Sequence, residues 1–416
     1  MALEASKWIE VLEKLGHEVY IISGQYEERK MNAEKETLVR EMSFFSPESY
    51  WGQKNAFFKP ADDPDELLSH IDFYGNIIAE KIIEWINLNK IELIISENAS
   101  ALPSHLSMAL GIKYAAERTG IPTITHDHDF AWERGERYIS VHEKINKFVS
   151  DIFPLRLPNV IHAVINTNAQ TDLKKMYDIE SVIVPNVMNF DIPFGEVTKD
   201  NKCLRHDLGL NQDDILLFQV TRIVRRKGIE VAIKLIDELN DKKTKLIITG
   251  SYTDDKNNEY YHELIDLIHK LKLHDQVSFA SHIINNHGFS GESLSRHYSL
   301  SDAYANARAC TYFSTYEGFG NAFVEAVLAK RPVFVNNYEP VYWPDIGSKG
   351  FKTVMLENNE LTDSAIKDMQ EIIYNDKINK EIAEFNYELG KKYFSYDTLK
   401  DKLQELIILA EKGGEE

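Results

Sequence analysis

The stretch "ACTYFSTYEGFGNAFVEAVLAKRPVFVNN", residues 309–337, runs from an apolar strand through a glycine-bearing turn into a helix and out to a second apolar strand. Strands that are apolar throughout and separated by a helix are the repeating unit of a parallel α/β sheet. The turn places Gly318 and Gly320 between Glu317 and Glu325, with a helix expected to start near Asn321. A helix N-terminus exposes unpaired N–H groups and a partial positive charge, and glycines let the backbone approach a bulky anion. Such a turn can cradle a diphosphate. The two carboxylates suit sugar hydroxyls instead, which donate hydrogen bonds to ionised oxygens. Their separation of eight residues is just over two helical turns, so Glu325 falls on roughly the face of the turn. A capped helix carrying two solvated glutamates fits the same pattern.

Outward from this stretch the rhythm continues. "DILLFQVT" (214–221), "TKLIITG" and "QVSFAS" read as strands, with "GIEVAIKLIDEL", "EYYHELIDLIHKLKL" and "LSDAYANA" as helices between them. The first half repeats the alternation with "HEVYIIS", a long helix over 66–88, "IELIIS" (91–96), "LSMALGIKYAAERTG", "IPTITH" (121–126), "HAVINT" (162–167), "TDLKKMY" and "ESVIVPN". Leu3, Trp8, Ile9, Val11, Leu12 and Leu15 line one side of an opening helix that Gly16 stops. The polar segment 191–213 reads as the linker, giving domains 1–192 and 193–395. A doubly wound domain normally begins with a strand and a glycine turn. This chain begins inside the helix that would follow them. The first strand of the N-terminal domain is therefore expected to be missing, with its neighbours' edges left open.

The composition narrows the function. With 416 residues and 43% hydrophobic content, the chain can bury two cores. A net charge of −19 opposes nucleic acid as a partner, so any bound anion must meet a local cluster of cations. Two cysteines, Cys203 and Cys310, make neither a disulfide framework nor a zinc spacing and fit a cytoplasmic setting. No apolar run reaches the ~18 residues of a membrane span, and the N-terminus is not a signal peptide.

One local cation cluster exists. "TRIVRRKG" (221–228) puts Arg222, Arg225, Arg226 and Lys227 directly after a strand, where ligands of open α/β sheets bind. A solvated basic loop is the plainer alternative. A third segment, "THDHDFAWERGERY" (125–138), ends a strand at His126 and adds His128, Arg134 and Arg137 beside Asp127 and Asp129. The His-x-His pair admits a metal, but no later histidine-rich set completes a site, so no metal is expected. A polar wall of a sugar site is the reading, with a structural histidine as the alternative.

Together these segments resemble the retaining glycosyltransferases of family 4, with the GT-B fold. The resemblance rests on "GHEVYIIS", "PNVMNF" (185–190), "TRIVRRKG" and "LSDAYANARACTYFSTYEGFGNAFVEAVLAKRPVFV", and it covers most of the chain. It implies two Rossmann-like doubly wound domains facing a cleft, with a terminal helix, 396–416, crossing back to the first. It implies that Arg222 and Lys227 contact the donor diphosphate, Glu317 and His126 the donor sugar, and Glu325 the ribose. The turn of Gly318, Phe319, Gly320 and Asn321 then serves phosphate and sugar. Val187 stands where the family often has glycine, and the absent glycine turn before the first helix predicts weak or no transfer.

By this resemblance the chain is a hexosyltransferase taking its sugar from a nucleotide diphosphate sugar, GDP-mannose or UDP-glucose, without a cofactor. "HDHDFAWERGERY" and "KWIEVLEKLGHEV" look similar to enzymes that make mannosylglucosylglycerate-type compatible solutes. That implies a small anionic acceptor such as a glucosylglycerate, held by His128, Arg134 and Arg137, and it is compatible with a homo-oligomer. A polysaccharide or lipid-linked acceptor, a nucleotide-sugar epimerase and a non-catalytic nucleotide-sugar binder are the alternatives.

Overall fold

The computed structural model describes residues 2–25, 33–251, 258–284 and 297–413. The chain forms two compact units, one of residues 1–186 with 396–416 and one of residues 187–395.

The first unit contains β1 (Ile21–Ser23), β2 (Glu36–Leu38), β3 (Ile94–Glu97), β4 (Thr123–Asp127), β5 (Val160–Val164) and β6 (Ser181–Ile183). β3 to β6 pair in sequence order as a four-stranded parallel sheet, and β1 and β2 form a separate parallel pair. No ladder joins the two sheets among the described residues. The helix Pro64–Asn89 opens on Asp63, whose carboxylate accepts from the N–H groups of Asp65 and Glu66, and it carries proline in its first turn. Its apolar face packs with the helix Leu106–Thr119 around Ile78, Ile82, Met108 and Ile112.

The opening helix spans Ala2–Lys14 and buries Trp8, Val11 and Leu12. Leu3, expected on the same face, is exposed. The helix Tyr396–Gly413 belongs to this unit: Leu399, Leu403, Leu406 and Ala410 are buried where it meets the opening helix and β5.

The second unit contains β7 (Ile215–Gln219), β8 (Thr244–Ile248), β9 (Val277–Phe279), β10 (Ala309–Tyr312), β11 (Val333–Asn336) and β12 (Val354–Leu356). Their order is β12-β11-β10-β7-β8-β9, all parallel. From the other edge this is the 3-2-1-4-5-6 order of a dinucleotide-binding sheet, whose direction of winding reverses between β7 and β10. Sheet and helices close on a core that includes Leu217, Ile233, Ile236, Leu246 and Phe334.

The division between units falls before Val187, not at 192, and the segment 191–213 is not a linker. Phe190 meets the Tyr387 ring at 5.3 Å, and Asn201, 1% exposed, bonds Thr198, the Glu196 carbonyl and the Asp302 carboxylate. A polar segment can be folded when its amides are satisfied from within the unit.

Candidate active site

Two turns leave the carboxyl ends of β7 and β10, the strands that flank the winding reversal. The first, 221–228, ends at Gly228, whose φ is +59°. A Cβ there would lie 2.1 Å from the Phe313 carbonyl oxygen, so only glycine lets this turn reach the end of β10. The Thr315 N–H then donates to the Arg226 carbonyl at 2.8 Å and ties the two turns together.

This contact brings the basic cluster onto Glu317. The Lys227 ammonium pairs with Glu317 Oε1, and Arg226 pairs with Glu317 Oε2 at 3.1 Å while donating to the Tyr316 carbonyl. Lys227 and Glu317 are both 8% exposed, and the ammonium also lies over the Tyr312 ring at 5.4 Å. Burial pushes the Lys227 pKa down; the Glu317 charge opposes that, and the charges of Arg226 and Arg222 add to it. Burial works to raise the Glu317 pKa, but Lys227 and Arg226 outweigh it and hold the carboxyl below its usual range. Arg222 is exposed in the same turn, near enough to act on Lys227.

Gly320 caps the helix Asn321–Leu328 with φ +136°, and a Cβ would meet the Tyr338 hydroxyl at 2.3 Å. That hydroxyl donates to the Phe319 carbonyl at 3.0 Å and fixes the turn. Phe319 itself is buried, so its side chain anchors the loop. Glu325, one helix face away, accepts from the Tyr304 hydroxyl at 2.9 Å.

Sequence reasoning missed three supports. Gln219, fully buried at the end of β7, donates to the Lys227 carbonyl at 2.8 Å and accepts from Thr311 Oγ1 at 2.8 Å. A glutamine closing the apolar run "ILLFQ" was its signal. Tyr304 was hidden among helix residues, and Arg226 was seen in the cluster without its partner.

In the first unit, parallel pairing sets Glu97 of β3 beside His126 of β4. Glu97 Oε2 lies 2.8 Å from His126 Nδ1, and Oε1 lies 2.8 Å from His128 Nε2. One ligand atom from each of these three residues lies within 4.8 Å of the other two, a spacing that a divalent cation could also bridge. Burial works to raise the Glu97 pKa, yet His126 and His128, through their charge when protonated and their hydrogen bonds, hold it at about 2. Asp127 faces the other way and bonds Thr125 and His162. Arg134 pairs with Asp129, and Arg137 lies over the Tyr138 ring at 5.5 Å, both with exposed side chains. Glu97 was missed because its partners lie about 30 residues on, and only the strand register unites them.

A groove of about 770 Å³ at the opposite ends of the strands includes Arg308 and Arg331. Both guanidinium groups donate to backbone carbonyls, of Ile373, Tyr304 and Ala305, which accounts for them structurally.

The glycosyl transferases group 1 family matches residues 200–389. The mannosylglucosylglycerate synthase of Thermotoga maritima is 31% identical over 429 aligned positions, covering 98% of this chain and 96% of that protein. The chain belongs to the group 1 glycosyltransferases. A second mannosylglucosylglycerate synthase, from Petrotoga mobilis, is 29% identical over 86% of this chain and 83% of its own length. Among solved structures, a glycosyltransferase from Rickettsia africae shares the fold, with a TM-score of 0.67 at 17% identity over 98% of this chain and 94% of that one. The glycosyltransferase is thus an enzyme of two Rossmann-like units, and no helix among its described residues is long and apolar enough to cross a membrane.

Proposed function

We propose that this glycosyltransferase moves a hexose, with retention and without a metal, from a nucleotide diphosphate sugar to a small anionic hydroxylated acceptor. GDP-mannose is the favoured donor and glucosylglycerate the favoured acceptor; UDP-glucose is the second donor. The reading is carried by the cation cluster around Glu317 at the winding reversal. Similarity over 98% and 86% of this chain to two proteins named mannosylglucosylglycerate synthase supports a glucosylglycerate-type acceptor.

The C1–O bond to the diphosphate breaks, and negative charge grows on the leaving oxygen. Arg222, Lys227 and the N–H groups at the start of the helix Asn321–Leu328 stabilise that charge. Glu317 binds donor-sugar hydroxyls and Glu325 the ribose. The acceptor oxygen bonds C1 on the face the diphosphate leaves, and its proton passes to the departing phosphate. His126 contacts the donor sugar, while His128, Arg134 and Arg137 hold the acceptor carboxylate.

The test incubates the chain with GDP-mannose and glucosylglycerate in EDTA and reads the product by NMR. An acceptor-dependent α-mannoside supports the reading. GDP release without acceptor dependence, or a β-linked product, overturns it. Calorimetry adds a check: Arg222→Ala with Lys227→Ala should weaken GDP binding at least about tenfold, one to two charge-assisted contacts' worth.

A further inference from the structure

His126 is 1% exposed and contacts two rings, that of Trp8 at 4.1 Å and that of His128 at 4.4 Å. Its Nδ1 points at Glu97, and its Nε2 is buried and meets no hydrogen-bond partner among the described residues. His128 Nε2 also lies 3.3 Å from His126 Nδ1, but an ionised carboxylate only accepts hydrogen bonds, and a bare nitrogen 2.8 Å from its oxygen would set two lone pairs against each other, so each ring nitrogen facing Glu97 carries its proton. In a neutral imidazole a proton on Nδ1 leaves a lone pair on Nε2. An unpartnered buried nitrogen is unfavourable, and a hydroxyl of a ligand would satisfy it.

We propose that Glu97 is a positioning residue that fixes His126 as the Nδ1–H tautomer, so that its buried Nε2 accepts a hydrogen bond from a donor-sugar hydroxyl. The role of the hydroxyl rests on the proposed transferase reading; the tautomer does not. The other oxygen of Glu97 fixes His128 as the Nε2–H tautomer in the same way. A metal-bound histidine normally donates its second ring N–H to an acceptor. His126 Nε2 has no such acceptor among the described residues, which favours the hydrogen-bonded arrangement over a cation between the three groups.

The test uses the full chain with 15N-labelled histidine at pH 8, with His126 assigned by its loss in His126→Asn. The expected spectrum shows His126 protonated on Nδ1 alone. Glu97→Gln keeps the shape but turns one acceptor oxygen into an NH2 donor, so at least one of the two rings must switch tautomer. With GDP-mannose and glucosylglycerate, kcat/KM of that variant should fall at least about tenfold. The proposal is overturned by a wild-type His126 protonated on Nε2 or on both nitrogens, or by two unchanged tautomers in folded Glu97→Gln. One equivalent of zinc bound in calorimetry and lost in Glu97→Gln also overturns it. The wild-type spectrum decides the tautomer even where the variant does not fold. Absence of transfer in the wild type would count against the transferase reading, leaving the tautomer result standing.

Discussion

Glu317 meets two cations with its two oxygens, and its removal has two separate consequences. Glu317→Ala strands the Lys227 ammonium without its counter-charge, which should cost about 3 kcal/mol in urea unfolding. On the proposed donor role it should also lower transfer from GDP-mannose at least about 100-fold, since a group aligned at the reacting sugar would be lost. Transfer within fivefold of wild type would remove Glu317 from the chemistry. Glu133 supplies a prediction in pH. Burial pushes its carboxyl up to about 7, while the Phe130 N–H that it accepts works against the rise. A raised acid pKa means the folded state binds the proton more tightly, so stability is lost as pH rises from about 4.5 to 7. Glu133→Gln keeps an acceptor for Phe130 and should be more stable than wild type at pH 8.5 by about 2 kcal/mol, discounted for partial exposure. The gap should close near pH 4.5; a gap that is independent of pH would show that Glu133 is not the titrating group.

At the scale of elements, the site depends on how closely two strand-to-helix turns approach. Gly320 has no room for a methyl against the Tyr338 hydroxyl and holds a backbone angle that side chains resist. Gly320→Ala should therefore destabilise the turn by about 2 kcal/mol. Adding Tyr338→Phe, which removes the clashing oxygen, should recover part of that loss, whereas simple additivity in the double-mutant cycle would argue against the contact. Gln219 works between elements, joining β7, the basic turn and β10. Gln219→Leu leaves the Lys227 carbonyl and the Thr311 hydroxyl without this partner. It should cost about 1–3 kcal/mol and raise the KM for the donor, as the Lys227 backbone loosens.

For the whole molecule, the proposed donor site belongs to the second of the two units. The second carries the cation cluster at the carboxyl end of β7 in an otherwise acidic chain of net charge −19. GDP at 100 times its Kd should stabilise the folded site by about 2.7 kcal/mol. Hydrogen exchange should then show protection gained at 221–228 and 314–325, and at the same GDP concentration this gain should fall by at least about 1.3 kcal/mol in the Arg222→Ala, Lys227→Ala double variant, the equivalent of tenfold weaker binding. Protection gained instead along β3 to β6 would place the nucleotide in the first unit and refute the donor assignment.

The sequence by itself determined the α/β class, the two-unit organisation and which strand-to-helix turns carry the glycines and the cations. Each of these is written locally, in apolar strands, in helix periodicity and in glycines that only particular backbone angles require. Tertiary structure decided the pairings. Arg226 and Lys227 meet Glu317 because β10 lies beside β7 in the sheet, a neighbour relation that ninety residues of intervening chain do not spell out. Glu97 joins His126 and His128 through the register of β3 on β4, and Tyr304 finds Glu325 from a separate helix. The polar segment 191–213 read as a linker because its composition is hydrophilic, yet Asn201 satisfies its amides from inside the second unit. Local pattern sets which element forms; which side chain meets which is settled only when sheets choose their strand order and buried polar groups find partners.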